Sequence, residues 1–281
     1  MPDPLRVIKT LQQATRCFKE TPGRKGRLVN LQDAAEVMVV GDLHGHVENF
    51  RRVLEQAQLA KNPGRHLVLQ ELIHGPFRYV AGGDKSHQLL DLLAALKCQF
   101  PSRVHMLLGN HELAQWTGQA IAKKESDLNA LFREGVGSAY FTKAKEIYAA
   151  YEELFAAVPL AVIAPNRVFM SHSVPSANRL ERFDSAILGQ DLAEIAALQP
   201  GGGIYCFVWG RDTRLDTVTH FLADVDADLL ITGHIPCPEG FSVPNERQLI
   251  LDALGTPACY CLFPTNRPLT HSELIGCVKT L

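Results

Sequence analysis

The chain has 281 residues, of which 46% are hydrophobic and 21% are charged, and these proportions are typical of a globular protein. Its 28 Lys and Arg residues against 30 Asp and Glu residues give a net charge of −2 at pH 7. This balance argues against a nucleic-acid coat or a polybasic membrane anchor, and no apolar run approaches the roughly 18 residues of a membrane span.

The seven cysteines are scattered along the chain, and none belongs to a Cys-x-x-Cys pair. Such a set is typical of free thiols in a reducing compartment. The first residues do not lead into the apolar core of a secretory signal. We therefore expect a cytoplasmic protein without a cysteine-rich zinc site, and without nucleic-acid or membrane partners.

The predicted elements of the first half alternate between strands and helices. A helix over 5–20 belongs to an N-terminal helical extension, 1–35. After it we predict strands at 37–40, 67–73, 79–81 and 104–108, with helices at 47–59 and 89–96. This alternation predicts a largely parallel sheet with right-handed crossovers.

Residues 113–157 differ in pattern. Tyr140, Ile147, Tyr151 and Phe155 belong to a stripe at helical spacing, which predicts a helical insertion packed beside or over the site. Beyond it, we predict a strand–turn–strand unit over 160–171, a helix at 191–198 and strands at 206–209, 228–232, 249–251 and 259–263. The whole chain is predicted to be a single α/β domain.

Polar side chains follow several of these strands. Asp42 and His44 lie two residues apart, so in an extended segment they point the same way. The other strand-end groups are Asp84, Asn110 with His111, His172 and His234. Carboxylate, imidazole and amide ligands suit manganese, iron or zinc. The candidates are too many for one tetrahedral ion, and they suit two ions that share a bridging carboxylate.

Three segments resemble, in order and spacing, the signature blocks of calcineurin-like metallophosphoesterases. They are Gly41-Asp42-Leu43-His44-Gly45, Gly83-Asp84 and Gly109-Asn110-His111-Glu112. Met170-Ser171-His172 and Thr232-Gly233-His234-Ile235-Pro236 resemble the two later histidine blocks. The variant most similar to this sequence is the phosphoprotein phosphatase branch, including its bacterial members, and the resemblance spans about residues 36–263.

The resemblance implies a four-layer α/β/β/α sandwich with its metals at the strand ends. The implied first metal is held by Asp42, His44 and Asp84, with Asp84 bridging to the second. The implied ligands of the second metal are Asn110, His172 and His234. A bridging water would attack phosphorus, and His111 would be the general acid beside the leaving group.

The second block departs from the family pattern Gly-Asp-x-x-Asp-Arg-Gly. His87 stands where the family has the Asp that pairs with the acid His, and Gln88 stands where it has a phosphate-binding Arg. Gln cannot offer a charged fork to phosphate, so Lys85, His87 or Arg211 would have to supply the charge. Arg211 is our first choice, and a surface ion pair with Asp212 is its alternative.

These features predict a dinuclear metal-dependent phosphoesterase that acts on phosphate esters, with phosphoprotein as one candidate substrate. Two alternatives stay open. One is a nucleotide anhydride hydrolase that acts on dinucleoside polyphosphates. The other is a non-catalytic, metal-binding interaction module on the same fold.

Overall fold

The computed structural model describes residues 3–123, 126–180, 183–191 and 195–281. Its helices are α1 (Pro4–Lys19), α2 (Val47–Ala57), α3 (His87–Gln99), α4 (Asn110–Thr117), α5 (Leu128–Tyr140), α6 (Ala144–Ala157), α7 (Ala177–Leu180), α8 (Ile195–Leu198), α9 (Gly203–Trp209), α10 (Leu215–Asp224) and α11 (His271–Ile275). Its strands are β1 (Arg24–Lys25), β2 (Leu28–Asn30), β3 (Glu36–Asp42), β4 (Arg65–Gln70), β5 (Val104–Leu107), β6 (Ala122–Lys123), β7 (Ser126–Asp127), β8 (Ala161–Ile163), β9 (Val168–Ser171), β10 (Leu229–Thr232), β11 (Phe241–Asn245), β12 (Gln248–Leu251), β13 (Cys259–Pro264) and β14 (Val278–Thr280).

Two sheets form the centre of the molecule. The five-stranded sheet has the order β14-β13-β3-β4-β5, and its β3, β4 and β5 are parallel. The seven-stranded sheet has the order β1-β2-β8-β9-β10-β12-β11, with β9, β10 and β12 parallel. The predicted parallel core is therefore confirmed, and so is the strand–turn–strand unit over 160–171, which forms the antiparallel pair β8 and β9.

The two sheets pack face to face, and β3 shows how its sequence permits this. Val37 and Val39 join a cluster that includes Met170 and Ile231 of the other sheet, while Met38 and Val40 join the cluster that contains the helices. Both faces of β3 are buried, which explains its uninterrupted apolar run. Helices cover the outer faces, as the α/β/β/α arrangement requires.

The two sheets meet at the end of β3. Asp42 forms an isolated parallel bridge with Asp252, just beyond β12. A Cβ atom on Gly41 would lie 2.3 Å from the backbone carbon of Leu251, so only glycine fits at this crossing. The sequence therefore brings the ends of β3 and β12 together immediately before the predicted ligand Asp42.

The N-terminal extension is part of the fold. Helix α1 packs against α3 and α6, and β2 continues the seven-stranded sheet by pairing with β8. Between α1 and α3, the buried Lys97 donates hydrogen bonds to Thr21 Oγ1, Pro101 O and Val104 O at 2.8, 2.6 and 2.9 Å. These contacts satisfy an ammonium group that burial would otherwise penalise.

The segment 113–157 forms most of α4, the antiparallel strand pair β6 and β7, α5 and α6. Helix α6 packs against α1, α4 and α5, and Ile121, Ser126 and Leu128 reach the edge of the cavity described below. The segment therefore lies beside the cavity.

Two predicted strands are wrong. Residues 79–81 lie in a turn, because Tyr79 accepts a hydrogen bond from Gly82 N–H and donates one to Gly83 O, both 3.0 Å long. Residues 206–209 belong to helix α9, in which Ile204, Phe207 and Val208 bury one helical face. Short apolar runs do not distinguish a strand from a buried helix by periodicity alone.

No helix in the described ranges combines the length and apolar character that crossing a membrane requires. All seven cysteines are free thiols.

Candidate active site

The carboxyl ends of the central strands surround one cavity of about 600 Å³. Among the residues that line it are Asp42, His44, Glu71, His74, Arg78, Asn110, His111, Trp209, Arg211 and His234. Open α/β sheets usually place their sites at this edge. The structure thus brings most of the predicted site residues together and adds several that the sequence analysis did not include.

His172 Nε2 lies at the centre of a cluster of ligand-type atoms. It is 2.7 Å from Glu71 Oε2, 2.9 Å from Asn110 Oδ1 and 3.2 Å from His234 Nδ1. Glu71, His172 and His234 are buried, and their candidate ligand atoms all lie within 4.8 Å of one another. A carboxylate, an amide oxygen and two imidazoles at this spacing are suited to a borderline divalent ion.

The Nδ1 side of the His172 ring faces an amide oxygen that can accept its proton. Nδ1 lies 3.3 Å from Gln70 Oε1, and Gln70 donates its Nε2–H to Val40 O at 3.3 Å. The amide oxygen of Gln70 therefore accepts the Nδ1–H of His172. Burial and the nearby Arg211 lower the pKa of His172 to about 3, so the ring is neutral at pH 7. Its Nε2 then presents a lone pair to the cluster, which is the state that metal binding requires.

Asp42 and His44 lie on the β3 side of the same cluster. Asp42 Oδ2 accepts the backbone N–H of His234 at 3.0 Å, whereas Oδ1 is buried without a hydrogen-bond partner. Burial and the nearby Glu71 raise the pKa of Asp42 well above its usual value. A buried, unpartnered carboxylate oxygen is unfavourable unless a cation meets it. His44 donates Nδ1–H to Ile73 O at 2.8 Å, so its Nε2 carries the lone pair.

Glu71 is the principal residue that the sequence analysis missed. It directly follows β4, in a left-handed conformation with φ of 45°. Its Oε1 accepts the backbone N–H of His111 at 3.0 Å, at the start of α4, where the helix dipole favours a negative charge. Burial raises the pKa of Glu71 to about 7.

Glu112 supports the Glu71 loop from behind. Its Oε1 accepts the backbone N–H groups of Leu72 and Ile73 at 2.8 and 3.2 Å. Burial, together with the neighbouring Glu71, raises the pKa of Glu112 well above its usual value. A protonated Glu112 can therefore donate a hydrogen bond to Glu71, which keeps the Glu71 carboxylate available on the cavity side.

Asp84, the predicted bridging ligand, is not among the residues that line the cavity. Its carboxylate accepts Ser86 N–H at 2.8 Å and lies 3.4 Å from Arg78 Nη1. The segment predicted as the strand before it is a turn, and the parallel neighbour of β3 in the sheet is β4, which ends at Gln70. The structure therefore places Glu71 at the strand end where the prediction placed Asp84. The signal available in the sequence was a carboxylate two residues after the apolar residues 67–69.

Lys85 and His87, two predicted phosphate-binding candidates, also lie outside the cavity lining. His87 is 2% exposed, and its Nε2 is 2.8 Å from Tyr79 Oη. Lys85 Nζ lies over the Tyr79 ring, 5.2 Å from its centroid. Gln88 donates to the same hydroxyl at 3.5 Å. These residues hold the loop around Tyr79 in place, and the structure does not bring them to the cluster around His172.

Arg211 extends into the cavity from the loop after α9. Its Nε donates a hydrogen bond of 3.1 Å to His234 Nε2. The alternative pairing with Asp212 is not what the structure shows, because Asp212 accepts from Arg214 and Ala177 N–H at 3.2 and 2.9 Å. A guanidinium beside the cluster can form two parallel hydrogen bonds with a phosphoryl group.

His111 lies beside the cluster, with its ring 4.8 Å from that of His44. Its Nδ1 is 3.0 Å from Nδ1 of His74, a residue that the sequence analysis did not identify. Burial and the neighbouring histidines lower the pKa of His111 well below its usual value, and burial lowers that of His74 to about 4. His74 lies three residues after Glu71, at the spacing that separates the two acidic residues of the family's second block.

A family model and several known proteins match this chain. The family model of the calcineurin-like phosphoesterases matches residues 35–238. A probable serine/threonine-protein phosphatase of Encephalitozoon cuniculi is 25% identical over 79% of this chain and 47% of its own length. Serine/threonine-protein phosphatase 5 of Solanum lycopersicum is 24% identical over 75% of this chain and 37% of its own length. The chain thus spans less than half the length of these curated relatives.

Solved structures share the fold. A Saccharomyces cerevisiae protein serine/threonine phosphatase superposes with a TM-score of 0.67 at 14% identity, over 93% of this chain and 82% of that one. A cold-active protein-tyrosine phosphatase from a Shewanella species superposes with a TM-score of 0.59 at 14% identity, over 95% of this chain and 84% of that one. With two packed sheets and strand-end polar residues in the family order, this chain belongs to the calcineurin-like phosphoesterase family.

Proposed function

We propose that this chain hydrolyses phosphate monoesters at the cavity, using two divalent metal ions, with manganese, iron and zinc as candidates. The observation that carries the proposal is the convergence of Glu71, Asn110 and His234 on Nε2 of His172. Phosphoprotein is a candidate substrate because the curated relatives are named as protein phosphatases. A cytoplasmic location stays a prediction from the cysteine pattern.

The donor set fits such ions. We propose Asp42, His44 and Glu71 as ligands of one ion, and Glu71, Asn110, His172 and His234 as ligands of the other. Glu71 then takes the bridging role that the sequence analysis gave to Asp84. The orphaned Oδ1 of Asp42 and the lone pair on His172 Nε2 both support this assignment. When bound, the ions supply Lewis acidity toward the phosphate ester and toward water.

The chain's own side chains would orient the substrate. Arg211 lies beside His234 on the cavity wall, where its fork can hold two phosphoryl oxygens. His111 presents its Nε2 side to the cavity, because its Nδ1 faces His74. That position suits a general acid for the leaving oxygen. Trp209 and Leu254 add apolar surface to the cavity, which reduces competition from water.

The direct test combines metal binding with hydrolysis. The purified chain would be stripped with a chelator, titrated with Mn²⁺ by calorimetry, and assayed with p-nitrophenyl phosphate. We expect two bound ions per chain and metal-dependent release of phosphate. His172→Asn should lose both, whereas His220→Asn on α10, a half-exposed histidine that does not line the cavity, should lose neither. A wild-type chain that binds no Mn²⁺, or a His172→Asn variant with full turnover, would overturn the proposal.

A further inference from the structure

A buried chain of polar side chains leads away from His111. His74 Nδ1 lies 3.0 Å from His111 Nδ1, and His74 Nε2 lies 2.8 Å from Gln115 Oε1. His74 and Gln115 are 7% and 1% exposed. A neutral imidazole holds a single ring proton, so His74 donates in only one of its two contacts. The ring nitrogen of His74 that carries this proton therefore decides which ring nitrogen of His111 carries its own.

Tyr148 on α6 determines the orientation of Gln115. The Tyr148 hydroxyl lies 3.3 Å from the backbone oxygen of Gln115, and a carbonyl oxygen only accepts. The hydroxyl therefore donates to that oxygen, and its remaining lone pairs accept the Nε2–H of Gln115 at 2.6 Å. The amide nitrogen of Gln115 thus faces Tyr148, and its amide oxygen faces His74.

The proton positions follow from this orientation. The amide oxygen accepts Nε2–H of His74, which leaves a lone pair on His74 Nδ1, and His111 donates its Nδ1–H to that lone pair. We propose that Tyr148, Gln115 and His74 are positioning residues that keep a proton on Nδ1 of His111, so that Nε2 alone exchanges a proton with the leaving group.

The catalytic consequence rests on the proposed function. As water attacks phosphorus and the P–O bond to the leaving group breaks, the ester oxygen takes a proton that Nε2 of His111 has picked up from solvent, and the alcohol leaves. The imidazole keeps its Nδ1–H and returns to its neutral form. With the Gln115 amide reversed, His74 would donate to His111 instead, and the only proton of neutral His111 would sit on Nε2. Giving up that proton would leave an imidazolate, so the reversed arrangement does not support the cycle.

The proton assignment can be tested on the chelator-treated chain, without any metal. Two-bond ¹H–¹⁵N correlations of histidine-labelled protein show which ring nitrogen is protonated. We expect Nδ1–H on His111 and Nε2–H on His74. Gln115→Glu should keep this pattern, because a carboxylate still accepts from His74, whereas Gln115→Met and Tyr148→Phe should give mixed tautomers. Tyr148→Phe removes one hydroxyl only and serves as the second variant if Gln115→Met does not fold. Tyr151→Phe on the same helix is the matched control, since its hydroxyl binds Asp91.

The positioning role predicts a dependence on the leaving group. In Gln115→Met, turnover of an alkyl phosphate should fall at least tenfold more than turnover of p-nitrophenyl phosphate, whose leaving group needs no proton. Gln115→Glu should restore the wild-type ratio. An unchanged tautomer pattern and an unchanged ratio in both Gln115→Met and Tyr148→Phe would overturn the inference. A wild-type chain that hydrolyses neither ester would instead defeat the proposed function and the catalytic role, while the tautomer spectra would still decide the proton assignment.

Discussion

Glu71→Gln is the most informative single change, because it should move metal binding and apo-protein stability in opposite directions. In the metal-free fold, burial raises the pKa of Glu71 from 4.5 to about 7. The folded state therefore disfavours the ionised carboxylate. The contribution of Glu71 to the free energy of unfolding is therefore fully present below pH 4.5. That contribution is lost as the pH rises through 7. At about 1.4 kcal/mol per pH unit, the loss amounts to about 3 kcal/mol above pH 7.

The variant removes this loss and keeps the local hydrogen bonds. A glutamine at position 71 can still accept His111 N–H through its oxygen and can donate through its amide to His172 Nε2. We therefore expect urea denaturation of the chelator-treated variant to show equal stability to wild type at pH 4.5. At pH 8 the variant should be more stable by about 3 kcal/mol. Glu153→Gln, an exposed carboxylate on α6, is the control and should show no such gain.

Metal binding should change in the other direction. Loss of a residue that merely orients a ligand costs about 10–100-fold in metal affinity, so loss of the proposed bridging ligand should cost at least about 100-fold. Asp84→Asn should retain wild-type affinity, because Asp84 is held by Ser86 and Arg78 outside the cavity lining. Wild-type Mn²⁺ affinity in Glu71→Gln together with lost affinity in Asp84→Asn would refute the reasoning and restore the sequence-based assignment.

Further outcomes follow from the cavity and the sheet. Arg211→Ala should lower kcat/KM at least tenfold and leave Mn²⁺ affinity unchanged. Arg211→Lys should recover part of that loss. A wild-type rate in Arg211→Ala would remove Arg211 from the site. His111→Asn should lower the rate of hydrolysis by about 10²–10⁴-fold for an alkyl phosphate and by less for an aryl phosphate. Equal losses for the two esters would contradict the role of His111 as general acid. The buried Nδ1 of His66 lies 3.1 Å from Nε2 of His105, and burial lowers the pKa of His66 to about 4. The folded chain therefore disfavours protonated His66, and the apo protein should lose stability as the pH falls from 6.5 to 4. His66→Gln should flatten that slope in urea denaturation, and an unchanged slope would exclude His66 as its source.

The structure places the polar residues predicted at the first and third strand ends beside the cavity, because each set stands in a local pattern next to its strand. Asp42 is the last residue of β3 and His44 follows two residues later, while Asn110 opens α4 directly after Gly109. Such short-range order survives folding, since the strand and the following turn fix the direction of the side chains. The ends of β9 and β10 deliver His172 and His234 for the same reason.

The second strand end was missed because its carboxylate does not follow the expected Gly-Asp pair. Sheet register is what makes Glu71 stand out, because it pairs Asp42 with Gln70 and so sets Glu71 beside the end of β3. Register is a tertiary property that local patterns do not report. Gln115 and Tyr148 were missed for a related reason. They lie on helices whose spacing indicates packing, and only the folded structure shows that their polar ends meet His74.

Gly233 offers a last test of how tightly the site is assembled. A Cβ atom at this position would lie 2.2 Å from Asp42 Oδ1 and 2.9 Å from Gln70 Oε1. The Asp42 carboxylate is held by His234 N–H, so it cannot turn aside without breaking that bond. Gly233→Ala should therefore fold but displace a proposed metal ligand, with a loss of at least about tenfold in Mn²⁺ affinity by calorimetry. Gly137→Ala on α5, where a Cβ atom meets nothing within 4 Å, is the control and should raise stability by about 0.5–1 kcal/mol without changing metal binding. Equal metal affinity in Gly233→Ala and wild type would show that Asp42 can move freely, and would remove it from the ligand set.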